Sequence, residues 1–247
     1  MVRAFIFDLD GTLVETEHLK ALSYAKAAQD LCPDCATEQE VLQAFKEVVG
    51  KSRHEVAQHI VEKFHLQDAA SRRMNEFGVS TPWQTYVQIR LRIFDRMIED
   101  PQTIRDSACS RTIDLLHRVR TMGCRTALTT ASSCSRTQLM LRELGLRREF
   151  EFVATTDDVE HAKPDPEIYH LVLGELKLPP DECVALEDSL PGIQAAVAAG
   201  VPCIAVTTDF TRDVVHKACP VDPRWIVDDP AMLESTAMEL VRLRKAA

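Results

Sequence analysis

Short apolar runs alternate with longer stretches in which apolar residues recur every three or four positions. "VRAFIF" near the N-terminus reads as a buried strand, and "CRTALTT" (124–130), "FEFVAT" (150–155), "CVALED" (183–188) and "PCIAVT" (202–207) read likewise, each followed by polar or small residues. Between them lie helix-like segments: "SRTIDLLHRVRTMG", "SRTQLMLRELG", "DPEIYHLVLGELK" and "LPGIQAAVAAG". Several end at Gly, as helix C-termini commonly do. Strands alternating with helices imply parallel βαβ units, hence an α/β fold with an open parallel sheet and helices on both faces.

Residues 16–105 break that rhythm. "HLKALSYAKAAQDL", "EQEVLQAFKEVVG", "RHEVAQHIVEKFHL" and "WQTYVQIRLRIFDRMIED" are helical patterns with no convincing strand among them, and Pro82 and Pro101 punctuate the second half. The expected organisation is an α/β core domain made of 1–15 and 106–247, with an all-helical domain, 16–105, inserted after the first strand.

Composition narrows the partners. The chain has 247 residues, 45% hydrophobic and 27% charged, which is ordinary for a globular protein. Its formal net charge of -9 disfavours non-specific binding to nucleic acid or to an anionic membrane. The N-terminus meets its first Asp too early for a signal peptide, and no apolar run approaches the roughly 20 residues that span a bilayer. A cytoplasmic location is therefore expected, and a monomer, since no dimer seam is evident. Eight cysteines, scattered from Cys32 to Cys219, read as buried thiols. "CPDC" (Cys32 to Cys35) is expected to be a Pro-containing loop holding two thiols, because a second ligand pair for zinc is missing.

In an open parallel sheet, ligands bind beyond the carboxyl ends of the strands. The first strand delivers Asp8 and Asp10 there, and the next delivers Thr129, Thr130, Ala131 and Ser132. "HAKPDPEIY" supplies Lys163, and "ALEDSLPG" supplies Glu187 and Asp188. Asp8, Asp10 and Asp188 are hard oxygen donors suited to Mg²⁺. The Thr130 hydroxyl, a neighbouring backbone N–H and the Lys163 ammonium together suit the oxygens of a phosphate. The set describes metal-assisted phosphoryl transfer. Asp157 and Asp158 either support the metal shell or belong to a solvated loop.

"DLDGTL", the hydroxyl in "ALTTAS", "AKPDPEIY" and "ALEDSLPG", in that order, resemble the four motifs of the haloacid dehalogenase superfamily, and the helical insert resembles the cap of its phosphatase and β-phosphoglucomutase branch. The resemblance implies a Rossmann-like core and assigns roles. Asp8 would be the nucleophile, forming an aspartyl-phosphate, and Asp10 the acid and base, its backbone carbonyl on the metal. Residues i and i+2 of an extended strand end lie on the same side, which accounts for that spacing. Leu9 and Gly11 would line the phosphate, Gly11 by allowing a tight turn. Thr130 with the Ala131 amide would hold the phosphate; Thr129 is the rival by register but would point to the opposite face. Lys163 would neutralise the transferring group, Asp188 would bind Mg²⁺, and Glu187 would hold a metal water or orient the shell.

Cap positions are implied too. Arg53, in "VGKSRHEV", resembles a contact to a distal anionic group, with Lys51 beside it. Lys20 stands where the β-phosphoglucomutases carry a His, and Glu15 where they carry an Asp. Both differences favour hydrolysis of a small sugar or polyol phosphate. The alternatives are a sugar-phosphate mutase and, from another class, a non-catalytic phosphate-binding regulatory module.

Overall fold

The structure, a computed structural model, describes residues 1–246 apart from Gly50 and Cys219. The apolar runs form parallel strands: β1 (Ala4–Asp8), β2 (Arg125–Thr129), β3 (Phe152–Ala154), β4 (Cys183–Glu187), β5 (Cys203–Val206) and β6 (Ile226–Val227). They lie in one sheet in the order β3-β2-β1-β4-β5-β6. Every residue of β1 and of β4 is buried, as strands covered on both faces require. From β1 the chain builds outward first through β2 and β3, then on the other side through β4, β5 and β6. The crevice that binds ligands in such sheets therefore opens at the carboxyl end of β1. Asp8, Thr129 and Glu187 are the last residues of β1, β2 and β4, and Asp8 is the register partner of Thr129. The edge strand β6 was not expected: two residues inside the proline-rich "CPVDPRWIVDDP" carry no periodicity.

The chain divides into two compact units, 1–15 with 104 onward, and 16–103. The second is helical: α1 (Thr16–Leu31), α2 (Glu38–Lys46), α3 (Arg53–Lys63), the short α4 (Gln67–Arg72) and α5 (Met74–Phe77), and α6 (Pro82–Glu99). Thr37 with Glu40, and Ser52 with Glu55, make reciprocal capping boxes that start α2 and α3. Pro82 occupies the first turn of α6, where its missing N–H costs nothing. Inside the unit the Tyr86 hydroxyl donates to the Tyr24 carbonyl oxygen at 2.7 Å, tying α6 to α1. Arg90 is buried with its guanidinium 4.9 Å from the Tyr24 ring centroid and 4.8 Å from that of Phe94. The division between the units falls within α7 (Pro101–Asp106), beside the expected 105/106 boundary.

In the α/β unit α8 (Ser110–Thr121), α9 (Cys134–Glu143), α10 (Glu167–Leu176), α11 (Leu190–Ala198), α12 (Arg212–Ala218) and α13 (Leu233–Ala246) follow in order. Ala4, Ile6, Ala127, Ala185 and Ala205 of the strands share one apolar cluster with Tyr169 and Val172 of α10 and Ile193 and Ala196 of α11. Alternation along β1 sends Phe5 and Phe7 to the other face, where Phe7 meets Phe150 at 6.1 Å between ring centroids.

The cysteines depart from expectation. Cys32 and Cys35 are joined in a disulfide, not free thiols, because the turn that follows α1 brings their Cα atoms to 5.4 Å, within bridging range. Cys183 and Cys203 are buried thiols as expected, whereas Cys109 and Cys124 are half-buried and Cys134 is exposed. Cys219 lies outside the described residues. No helix among the described residues is long and apolar enough to cross a membrane.

Candidate active site

The turn after β1 sets the geometry. Gly11 adopts φ +84°, its N–H donates to the Val14 carbonyl at 2.7 Å, and the Leu13 and Val14 N–H groups donate back to the Leu9 carbonyl. Only a glycine fits Gly11 on two counts: the left-handed φ, and the fact that a Cβ there would lie 2.0 Å from Asp188 Oδ2. The turn thus packs its backbone against the carboxylate that follows β4.

Asp8, 4% exposed, accepts a hydrogen bond through Oδ1 from Lys163 Nζ at 2.8 Å. Lys163 reaches in from the loop between β3 and α10; its Nζ also donates to Glu187 Oε1 at 2.6 Å and to the Thr129 carbonyl at 3.3 Å. Glu187 is fully buried, and its Oε1 takes a second donor, the Tyr169 hydroxyl, at 2.6 Å. Burial above all, then repulsion by Glu187, pushes the Asp8 carboxyl well above its ordinary range, against the pull of Lys163. Burial alone would lower the Lys163 ammonium, but Asp8 and Glu187 override it and hold the pKa above its usual value, so the lysine stays charged. Burial first, then Glu15 and Asp188, pushes the Cys109 thiol up to about 12, which keeps it protonated near neutral pH.

Asp10 sits across from this group. Its Oδ2 accepts from the Thr130 hydroxyl at 3.1 Å and from the Ser132 hydroxyl at 2.7 Å. The Ser132 N–H in turn donates to Thr130 Oγ1 at 3.0 Å, which closes a small network around the Asp10 carboxylate. Ala131 is exposed at the tip of the same loop.

The structure therefore gathers Asp8, Asp10, Thr130, Lys163, Glu187 and Asp188 at the strand ends. Lys20, Lys51 and Arg53 belong to the helical unit: Lys20 is ion-paired with Glu17, while Lys51 and Arg53 are exposed at the start of α3. Asp157 and Asp158 are engaged by backbone N–H groups, the first accepting from Cys134 at the start of α9 at 2.7 Å, the second from the nearby Thr155 at 2.8 Å. Sequence reasoning missed two participants, Tyr169 and Gly192, and placed a third, Ser132, at the strand end without a role. Ser132 stands two residues past Thr130, Tyr169 lies in the quoted "AKPDPEIY", and Gly192 lies in "ALEDSLPG", where a Cβ would come within 1.9 Å of Glu187 Oε2. All lay inside motifs already singled out, but their side-chain directions required coordinates.

A hard cation fits here. Asp8, Glu187 and Asp188 each offer an oxygen, all within 4.8 Å of one another, the one such group among the described residues. Asp8 Oδ2 and Glu187 Oε2 are buried without a hydrogen-bond partner. A buried carboxylate oxygen with no donor is costly, and a divalent cation or its water removes that cost.

The chain is similar to known proteins along most of its length. The chain is 27% identical over 244 residues, 98% of its length and 94% of the relative's, to the phosphorylated carbohydrates phosphatase of Thermotoga maritima. It is 29% identical over 215 residues, 86% of this chain and 87% of the other, to protein CbbY of Cereibacter sphaeroides. The crystal structure of CbbY from Rhodobacter sphaeroides in complex with xylulose-(1,5)bisphosphate matches with a TM-score of 0.61 and 26% identity, covering 94% of this chain and 96% of that one. A family model described as haloacid dehalogenase-like hydrolase matches residues 2–200, the span that runs from the first strand through every acid of the cluster. The chain belongs to the haloacid dehalogenase-like hydrolases.

Proposed function

We propose that this hydrolase is a Mg²⁺-dependent phosphatase of a small phosphorylated sugar or polyol, working through an aspartyl-phosphate on Asp8. The observation that carries this reading is Asp8 itself: one oxygen is tied to Lys163, the other is buried and unengaged, and Asp10 stands two residues on, held by hydroxyls. Asp8, Asp188 and Glu187 would hold the cation, with the Asp10 backbone carbonyl as a further ligand. When bound, Mg²⁺ offsets the repulsion between a carboxylate nucleophile and a phosphate dianion.

The remaining steps belong to the chain. A carboxylate oxygen of Asp8 forms a bond to phosphorus as the bond to the leaving alcohol oxygen breaks, and Asp10 gives that oxygen its proton. Thr130 and Ser132 keep the Asp10 carboxyl aimed while Lys163 balances charge on the transferring group. In the second half Asp10 takes a proton from water, the hydroxide oxygen bonds to phosphorus, and the phosphorus–Asp8 bond breaks to release inorganic phosphate and restore Asp8.

Residues of the helical unit support a sugar or polyol phosphate. Lys51 and Arg53 stand exposed at the start of α3, and such cations suit a second anionic or hydroxyl-rich group. Lys20 is ion-paired with Glu17, which suits it poorly to the neutral acid/base role a mutase needs at that position and favours water as acceptor.

Phosphate release from a panel of sugar, polyol and nucleotide phosphates, with Mg²⁺ and with EDTA, tests the reading. Release should require the metal, and Asp8→Asn and Asp10→Asn should each abolish it; near-wild-type turnover by either variant sinks the mechanism. Glucose 6-phosphate formed from glucose 1-phosphate would show a mutase instead. Metal and phosphate-mimic binding without turnover on any compound would show a regulatory module.

A further inference from the structure

Tyr169 is the fully buried phenol of α10, in its first turn, and no step of the chemistry above uses it. Its hydroxyl nevertheless ends on the acid cluster. The Tyr169 hydroxyl and Lys163 Nζ both donate to Glu187 Oε1 at 2.6 Å, and the same Nζ donates to Asp8 Oδ1 at 2.8 Å. The result is a continuous path from Tyr169 through Glu187 and Lys163 to the nucleophile, all of it in the buried interior.

Each link constrains the next. A carboxylate that accepts from one ammonium can still swing about its terminal torsion, because that torsion is broad and two-fold. A second donor fixed to a helix removes the freedom, since the ring of Tyr169 is locked in the apolar cluster between α10 and the sheet. Two donors on Oε1 also leave Oε2 as the oxygen with no protein partner. Groups that orient a metal ligand in this manner are worth about 10–100-fold in metal affinity or activity.

On these grounds we propose that Tyr169 is a positioning residue for the metal and the nucleophile. Its hydroxyl fixes the plane of Glu187, which commits one carboxylate oxygen to Lys163 and reserves the other for the cation shell. The proposal rests on the phosphatase reading for its kinetic consequence, but not for its effect on metal binding.

Tyr169→Phe removes one oxygen and keeps the ring, so the apolar cluster is preserved. Mg²⁺ affinity is measured first, on protein without substrate, by isothermal titration calorimetry. The variant should bind Mg²⁺ about 10–100-fold more weakly, and kcat should fall by a similar factor with the KM for the sugar phosphate little changed. In a Glu187→Gln background the Tyr169→Phe change should add almost nothing, because the two residues act as one unit. Wild-type Mg²⁺ affinity in Tyr169→Phe overturns the proposal, and so do fully additive effects of the two substitutions, which would mark a packing role. If the wild-type protein binds Mg²⁺ yet releases no phosphate, the phosphatase reading falls while the calorimetry still decides the role of Tyr169.

Discussion

Gly192 shows that a buried carboxylate needs room as well as donors. It lies in the first turn of α11, where alanine is the better helix former by about 1 kcal/mol, so local propensity would favour replacing it. A Cβ at that position would nonetheless stand 1.9 Å from Glu187 Oε2 and 2.4 Å from its carboxyl carbon. Gly192→Ala should therefore leave the far-UV circular dichroism intact and weaken both Mg²⁺ binding and turnover by about 10–100-fold; unchanged Mg²⁺ affinity would mean that Glu187 has somewhere else to go. The same comparison explains which site residues were legible in the sequence. Asp8, Asp10, Thr130, Glu187 and Asp188 could be read because strand ends and strand parity say where a residue stands. The role of Ser132, and the part played by Tyr169 and Gly192, could not, since a hydroxyl's aim and a missing Cβ acquire meaning only when a separate segment arrives beside them.

At the scale of elements, the buried strands were legible because each is a short, continuous apolar run, and the longer helices because apolar residues recur every three or four positions along them. β6 and α12 are too short to express a period. α13 does carry one, with Leu233, Ala237 and Leu240 buried at helical spacing, but Met232 and Leu243 stay exposed and blur the stripe. The link between α1 and α6 offers a measurement at this scale. Tyr86 is fully buried and its hydroxyl bonds the Tyr24 carbonyl oxygen, and a net intramolecular hydrogen bond contributes about 0.5–1.5 kcal/mol. Tyr86→Phe should lower the denaturation midpoint of the helical unit by an amount equivalent to about 1 kcal/mol, with the slope unchanged. An unaltered midpoint would mean that the phenol had only exchanged one water for one carbonyl.

For the whole molecule, the electrostatic ledger is lopsided. The chain carries a formal net charge of -9, and Asp8, Glu187 and Asp188 crowd into the sheet's mouth, with Lys163 bonded to the first two. A cation bound by the folded state and not by the unfolded one must stabilise it. At a hundredfold excess over its Kd this amounts to about 2.7 kcal/mol, which for a domain of this size is a rise of about 5–10 °C. Thermal unfolding in Mg²⁺ against EDTA should show that rise in the transition of the α/β unit, and Asp188→Asn should shrink it. A transition indifferent to Mg²⁺ would remove the metal from the site.

The position of β1 in the sheet also bears on how the protein comes into being. Ala4 of the central strand pairs with Arg125 on one side and Cys183 on the other, and Asp8 meets Lys163 across 155 residues of chain. A ribosome making this protein releases β1 before the other strands of the sheet and must then synthesise residues 9–124 before the first neighbour, β2, exists. Pairings between such distant segments are slow to form, and an unpaired apolar strand exposed meanwhile invites association with other chains. The helical unit, whose contacts are local by comparison, is complete before β2 begins. The strand that carries Asp8 is thus made before the other strands of the sheet and is among the last secured, and the site is assembled only when β4 has joined the sheet.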